Sequence, residues 1–363
     1  MPKKPAASAQ VPPDPCFVKE LAGEPPPSFA MMQQLYALAS DLFSLRPWQS
    51  LDDSQLTVVR DPASGELYYC SIMGALGQVY AMQAYVGEEG LRSFRKMQTG
   101  EFAEPAEFFT ITRCVYVEFV PRKELEPQDR ELLAALGHPK GRGHASPIFR
   151  AMRPGFHPWF VAADEARMLA ECIRAVIAVC AAAGQGTEKL WDRAGTYPLV
   201  TRVEDEPPRY RIDFVEPVLP PEPPVAPACP DEESLRPLRN RDHAFRGVME
   251  LDYIFSGPSV GKKNERKSCT SIALAADAGS GMLYAPEVTD SSVTCGDALA
   301  RVFLHAIQAS RTLPVEVRVR SQKLKDSLDP LMKSLGVKLR VASRLPAVEK
   351  ARAHLLGFLR GTP

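Results

Sequence analysis

The residues whose types and spacing invite chemistry concentrate in the last third of the chain. Lys262, Lys263, Arg266 and Lys267 crowd one segment, and Arg318, Arg320, Lys323 and Lys325 crowd another. Brought to one edge of a sheet, these eight cations would form a phosphate-attracting, nucleic-acid-binding surface. No aromatic side chain interleaves with them as a base-stacking platform would, so a plain solvated loop is the simpler reading. Between a strand-like run and the first cluster lies Gly257-Pro258-Ser259-Val260-Gly261-Lys262-Lys263, which invites comparison with a nucleotide-binding P-loop. It fails in three ways: the spacing is one residue short, Lys263 replaces the hydroxyl that would hold magnesium, and a strand rather than a helix follows.

Other reactive residue types are dispersed. The histidines (His138, His144, His157, His243, His305 and His354) form no H-E-x-x-H. The cysteines (Cys16, Cys70, Cys114, Cys172, Cys180, Cys229, Cys269 and Cys295) form no C-x-x-C, so no zinc site and no other metal is expected from spacing. Reduced thiols, several of them buried, are the expectation instead. His144 lies near Ser146 in Gly141-Arg142-Gly143-His144-Ala145-Ser146, without the nucleophile elbow that a hydrolase would need.

The chain that must position these groups has 363 residues, about two domains' worth, with 45% hydrophobic and 24% charged side chains. Those fractions exclude a fibrous, collagen-like or wholly disordered protein. Proline is the outlier, with 34 residues where an average share of roughly 5% would give about half as many. The 44 basic and 44 acidic side chains balance overall but not locally: from Asn240 onward there are 19 basic and 12 acidic groups, against 25 and 32 before it. A basic second half beside an acidic first half predicts either an acidic partner or an intramolecular domain contact. Lys3 and Lys4 are followed by prolines and no apolar run, so no secretory signal is expected. The most apolar long stretch, 168–184, carries Glu171 and Arg174 and is too short and too charged to cross a membrane. A cytoplasmic protein without membrane association is the expectation.

Residues 1–27, rich in Pro, Ala, Ser and Lys, predict a disordered tail. An acidic α+β domain over 28–215 follows. Ser28 caps a helix whose apolar positions run from Phe29 to Phe43, with Pro47 closing it and Trp48 plugging the core. Runs at 67–73 and 78–85 predict a hairpin, 88–97 a helix, and 111–120 an alternating strand with Val115, Val117 and Phe119 on one face. The pattern Met168, Leu169, Cys172, Ile173, Val176, Ile177, Cys180 marks a long helix lying across a sheet. Runs at 197–203 and 209–215 predict a second hairpin. Residues 216–239, with seven prolines between Pro217 and Pro230, predict a polyproline spacer.

A basic α/β domain over 240–363 completes the chain. Strands are expected at 248–255, 271–276 and 282–288, the last two joined by a glycine-rich turn at 277–281. Thr294 caps a helix to about Ser310. A strand at 315–319, a helix at 323–335 stopped by Gly336, a strand at 337–341 and a helix opened by Pro346 follow. The string is β-β-β-α-β-α-β-α, a mixed sheet flanked by helices.

That order over residues 245–360 resembles the ribonuclease H-like fold of nucleases, integrases and transposases. The whole chain resembles a family of bacterial two-domain proteins with domains of unknown function. Trp48 with Leu51-Asp52-Asp53, the stretch from Tyr68 to Gly74, Glu250-Leu251-Asp252-Tyr253, Val319-Arg320-Ser321 and Arg344-Leu345-Pro346-Ala347 carry this second resemblance. The first resemblance implies two divalent ions, magnesium or manganese, held by carboxylates on the first strand, the first helix, the end of the fourth strand and the last helix. Asp252 and Glu250 on the first strand, Asp297 on the first helix and Glu349 on the last helix are the matching candidates for catalytic groups. The fourth strand departs from the pattern, ending Arg318-Val319-Arg320-Ser321, where a guanidinium would compete with a metal.

A bland account of the acids also stands. Met249, Leu251, Tyr253 and Phe255 make a core face, leaving Glu250 and Asp252 on a wetter one, while Asp297 and Glu349 sit where carboxylates favour helix N-termini. The expectation is therefore a binding protein without cofactor, its target nucleic acid or an acidic protein. The alternative is a divalent-metal nuclease or phosphodiesterase of ribonuclease H-like type.

Overall fold

The computed structural model describes residues 21, 23–102, 107–137, 145–183, 188–191, 195–205, 208–222, 224–230, 232–239 and 244–359. The chain forms two compact units, Met1–Pro220 together with Gly261–Lys267, and Pro221–Val260 together with Ser268–Pro363. Both are mixed α/β structures. Among the described residues no helix is long and apolar enough to cross a membrane.

In the first unit the helices are α1 (Phe29–Leu45), α2 (Gly87–Thr99), α3 (Glu107–Ile111), α4 (Pro127–Ala135), α5 (Ala163–Ala183) and α6 (Glu188–Trp191). The strands are β1 (Thr57–Arg60), β2 (Leu67–Met73), β3 (Ala81–Val86), β4 (Cys114–Val120), β5 (Ser146–Met152), β6 (Trp159–Phe160), β7 (Tyr197–Asp205) and β8 (Pro208–Val215). They form one sheet in the order β6-β5-β4-β3-β2-β1-β7-β8, antiparallel except where β1 meets β7.

Strand alternation divides its two cores. Tyr68, Cys70 and Ile72 of β2 and Val115, Val117 and Phe119 of β4 face α1 and α5. Tyr69 and Cys114 face Leu91 and Phe94 of α2. The Ser28 hydroxyl accepts from Met31 N at 3.2 Å and starts α1 as expected. Leu169, Ile173 and Val176 of α5 are fully buried beside Cys172, each of the three aliphatic side chains worth about 1.5–3 kcal/mol. Trp48 packs 4.8 Å from the Tyr80 ring. Gly74 is fixed by that packing, since a Cβ there would lie 2.8 Å from both aromatic side chains.

One strand of this unit carries a charge inward. Arg150 of β5 donates Nη1 to Asp129 Oδ1 at 3.0 Å and Nη2 to Asp129 Oδ2 at 2.6 Å, and its guanidinium lies 4.2 Å over the Phe160 ring.

Three expectations at the borders need correction. The disordered tail expected over residues 1–27 does not reach residue 27: Leu21 is buried, Glu24 is ion-paired to Arg153 at 2.8 Å, and Pro25 O accepts from Ala163 N at 2.9 Å. Residues 1–20 and 22 lie outside the described residues. The 216–239 spacer is anchored in each unit that it enters. Arg95 and Arg92 donate to the carbonyls of Pro217 and Pro220 at 2.7 and 2.9 Å, and Ser327 binds Ala226 O at 3.0 Å and Ala228 N at 2.9 Å. Proline lacks a donor but keeps its carbonyl, so a donor-rich neighbour can still hold it. Finally, residues Glu232–Arg239 form a helix, α7, whose Leu235 and Leu238 enter the second core.

The second unit continues with β9 (Val248–Val260), β10 (Ser268–Asp277), β11 (Glu287–Thr289), α8 (Cys295–Ser310), β12 (Glu316–Val319), α9 (Gln322–Ser334), β13 (Lys338–Val341) and α10 (Pro346–Leu359). The sheet runs β11-β10-β9-β12-β13, antiparallel on the β11 side of β9 and parallel on the other. Each parallel neighbour is reached through a helix, as a crossover requires. The third strand starts later than the 282–288 expected. Pro286 offers no ladder donor, so before it pairing is limited to a bridge between Leu283 and Ala276. Thr294 and Ser321 cap α8 and α9 through their hydroxyls. Met249 and Leu251 of β9 face α8 and α9, whereas Ile254, Ile272 and Leu274 face Leu345, Ala347 and Val348 around α10.

Candidate functional site

β9 alternation carries Glu250 and Asp252 to the α10 side of the sheet. That side is not wet: the two residues are 1% and 2% exposed, because α10 lies over them. Buried carboxylates need partners. Glu250 Oε2 accepts from Ala347 N at 2.8 Å and Val348 N at 3.1 Å, the first free amides of α10. The residue preceding α10, Leu345, has no side-chain acceptor, so Glu250 supplies the cap from across the sheet.

Asp252 is held differently. β12 runs parallel to β9 with Val319 opposite Leu251, which sets Arg320 beside Asp252. Arg320 Nε donates to Asp252 Oδ2 at 2.9 Å and Nη1 to Glu349 Oε1 at 3.3 Å, while Asp252 Oδ1 accepts from Tyr253 N at 3.0 Å. Burial pushes the Asp252 carboxyl above its ordinary value, and Arg320 and the Tyr253 amide offset this only in part. Burial works against the Arg320 charge, but Asp252 and Glu349 hold its guanidinium above the ordinary arginine value. Arg320 Nη2 is buried with no hydrogen-bond partner among the described residues.

Asp297 does not join this group. It sits in the first turn of α8, which packs on the other face of the sheet, and accepts from Cys229 N at 2.9 Å and Thr294 Oγ1 at 2.7 Å. The Cys229 amide first, and then Thr294, hold its carboxyl below the ordinary range. Among the described residues no three His, Cys, Asp or Glu side chains are grouped to hold a metal ion.

Residues 33–200 match the model of a domain of unknown function, DUF7309, and residues 234–356 match that of another, DUF6930. The chain thus carries matches to two domains of unknown function in succession. No curated protein matches it. Among solved structures, it is similar to a chain of the simian T-cell lymphotropic virus intasome in complex with PP2A regulatory subunit B56 gamma, at 15% identity and TM-score 0.22, over 31% of this chain and 40% of that one. It is also similar to the HTLV-2 integrase catalytic core domain in complex with magnesium. The dimeric form gives 16% identity and TM-score 0.21 over 31% of this chain and 69% of that chain; the trimeric form gives 16% and 0.19 over 31% and 68%. The chain thus spans two fifths of the first structure's length.

Glu250, Asp252, Arg320 and Glu349 all fall within the DUF6930 match. The cations expected at the surface have diverse surroundings. Lys263 and Lys323 are exposed, and Lys325 is half-buried. Lys262 is exposed and 3.5 Å from Glu265. Lys267 donates to Lys262 O and lies 5.4 Å over the Trp159 ring. Arg318 donates to Glu316 at 2.9 Å, a carboxylate that also draws Arg340 and Lys338.

Arg266 is withdrawn from solvent altogether. Within the first unit its side chain is 5% exposed, with Nε 2.8 Å from Glu24 Oε1 and Nη2 2.5 Å from Glu165 Oε2. It cannot serve as a surface phosphate contact while so paired. This Glu24–Arg153–Glu165–Arg266 network was missed by sequence reasoning, as was Arg150–Asp129. Of the histidines, His138, His144 and His243 lie outside the described residues, and His305 and His354 are exposed. The seven described cysteines are free thiols, four of them buried.

Proposed function

We propose that the DUF6930 domain is a ribonuclease H-like module that binds an anionic target, nucleic acid or an acidic protein, without cleaving it. The order β11-β10-β9-β12-β13, with helical crossovers on its parallel side, supports the fold reading. The observation that carries the non-catalytic reading is Arg320, whose guanidinium touches both Asp252 and Glu349. It follows the strand where the resemblance to nucleases asks for a carboxylate. Glu250 is committed to two α10 amides, and Asp252 to Arg320 and Tyr253 N. This donor set does not fit a divalent pair. Two cations flanking a phosphate need several converging anionic ligands, and here a fixed cation already occupies the converging pair.

The test uses the full chain. Supercoiled plasmid with magnesium or manganese should remain un-nicked. A labelled oligonucleotide should bind with an affinity that falls as salt rises, and Lys323→Glu should weaken it. Retention of polyglutamate without oligonucleotide binding would assign the target to acidic protein. Nicking abolished by Asp252→Asn would replace this reading with a metal-dependent phosphodiesterase. That second reading draws on one observation, the gathering of Glu250, Asp252 and Glu349 around the start of α10.

A further inference from the structure

Edge strands present a row of unpaired N–H and C=O groups, and proteins commonly keep such strands short. Three of the four sheet edges here follow that rule: β6 has two residues, β11 three and β13 four. β8 does not. It runs for eight residues at the end of the first unit's sheet, with no further strand beside it among the described residues. Its proline, Pro208, stands at the first position, so every later residue of the strand keeps its N–H. The register with β7 tells which groups face outward. Pro198 stands opposite Phe214 and has no N–H, so β7 bonds β8 through Leu199 and Thr201, opposite Asp213 and Arg211. The N–H and C=O of Tyr210 and Ile212 then point away from β7.

The side chains alternate as well. Tyr210 and Ile212 pack on the core that holds α1 and α5, whereas Arg211 and Asp213 lie on the other face, 63% and 48% exposed and joined at 2.8 Å. Charges of one sign on an edge strand repel a second strand. Arg211 and Asp213 are of opposite sign, and this makes the strand complementary to itself. An antiparallel copy related by a two-fold axis through Ile212 sets Arg211 opposite Asp213 twice and Tyr210 opposite Phe214 twice. It also brings the outward N–H and C=O of Ile212 onto those of its counterpart. Moving the axis by one residue sets Arg211 against Arg211 in one direction and Asp213 against Asp213 in the other. Opposite charges directly across a strand pair favour the pairing and like charges oppose it, so one register is selected. We propose that the chain forms a homodimer by antiparallel pairing of β8 with β8 of a second copy, the two-fold axis passing through Ile212. The interface is isologous, and it joins the two eight-stranded sheets into one.

Sedimentation equilibrium of the full chain tests this, with a reductant present because Cys229 is an exposed thiol. The mass should rise with concentration to that of two chains, and the Ile212 amide should exchange its hydrogen more slowly in the dimer. Arg211→Asp and Asp213→Arg should each weaken association about tenfold or more, because each creates two like-charge pairs across the axis. Their melting temperatures as monomers should hold, since an ion pair this exposed contributes little to folding. Arg211→Asp combined with Asp213→Arg in one chain should restore the dimer, and the two single variants, mixed, should pair with each other. A monomer at every concentration, single variants that associate as tightly as the parent, or a combined variant that stays monomeric would each overturn the proposal. A dimer in which the Ile212 amide exchanges as fast as in the monomer would place the interface elsewhere and overturn it too.

Discussion

Each domain buries an aspartate against an arginine, and the two pairs differ in how completely they are closed. In the first domain, Arg150 is 6% exposed and Asp129 5%, two parallel N–H···O contacts join them, and Phe149 O and the Phe160 ring take up the remaining guanidinium surface. Asp129 Oδ2 also accepts from Glu126 N at 3.2 Å, so the pair anchors the start of α4 as well. In the second domain, Arg320 is 31% exposed, gives a single N–H to each of two carboxylates, and leaves Nη2 buried and unmatched. The first arrangement has the fork geometry and full satisfaction of a structural clamp. The second keeps a buried aspartate at an elevated pKa and an orphaned donor, a combination that folding alone does not favour. Local rules broken in this way are found mainly where function holds the residues in place.

The comparison breaks first if the closed pair proves dispensable. Arg150→Ala would strand the Asp129 carboxylate in the core and should cost about 3–5 kcal/mol, read as an earlier urea midpoint for the first domain. Replacing both partners by apolar residues of similar volume should recover most of that loss. A loss below about 1 kcal/mol would class the clamp with exposed ion pairs and remove the contrast.

The open pair should respond more weakly. Arg320→Met should cost about 1–2 kcal/mol, reduced by solvent access on one side and by relief of the orphaned Nη2. Adding Asp252→Asn should restore part of it, because the remaining burden in the single variant is an unpaired buried carboxylate. A double-mutant cycle measures that coupling, and additive effects of the two changes would mean that the salt link carries no energy of its own.

These contrasts show what was legible in the sequence. Periodicity exposed α5 and the succession from β9 to α10, because their apolar positions recur over many residues without interruption. β5 escaped because Pro147 and Arg150 break its apolar pattern, and Arg150 reads as a surface residue until Asp129 is placed beside it. β1 spans only four residues. The acids of the site were legible as residues through strand alternation and helix starts. Their bonds were not. Arg320 and Asp252 stand 68 positions apart and meet through the β9–β12 register, while Arg266 and Glu24 stand 242 apart. The wet face predicted for Glu250 and Asp252 failed because nothing in β9 itself says that α10 will fold over it.

The smallest expected effect is a difference in sign between two aspartates of the second domain. Asp252, facing Arg320 and Arg352, has its pKa raised above the ordinary 3.8 because burial outweighs those charges. It therefore contributes stability that is complete below about pH 3.8 and is lost as pH rises through its folded value. Asp297, facing Arg301 and bonded to Cys229 N and Thr294, has its pKa lowered, so its contribution is complete above about pH 3.8 and is lost as pH falls. Denaturant unfolding of the full chain between about pH 3 and pH 6 should separate the two. Relative to Asp252→Asn, the parent should lose stability as pH rises; relative to Asp297→Asn, it should gain. The opposite slopes follow from what each carboxylate received on folding: Asp297 gained donors at a helix start, whereas Asp252 lost its water and gained one shared guanidinium and its neighbour's amide. A flat slope for Asp252 would mean that Arg320 and the other donors compensate its burial in full, and a slope parallel to that of Asp297 that they outweigh it.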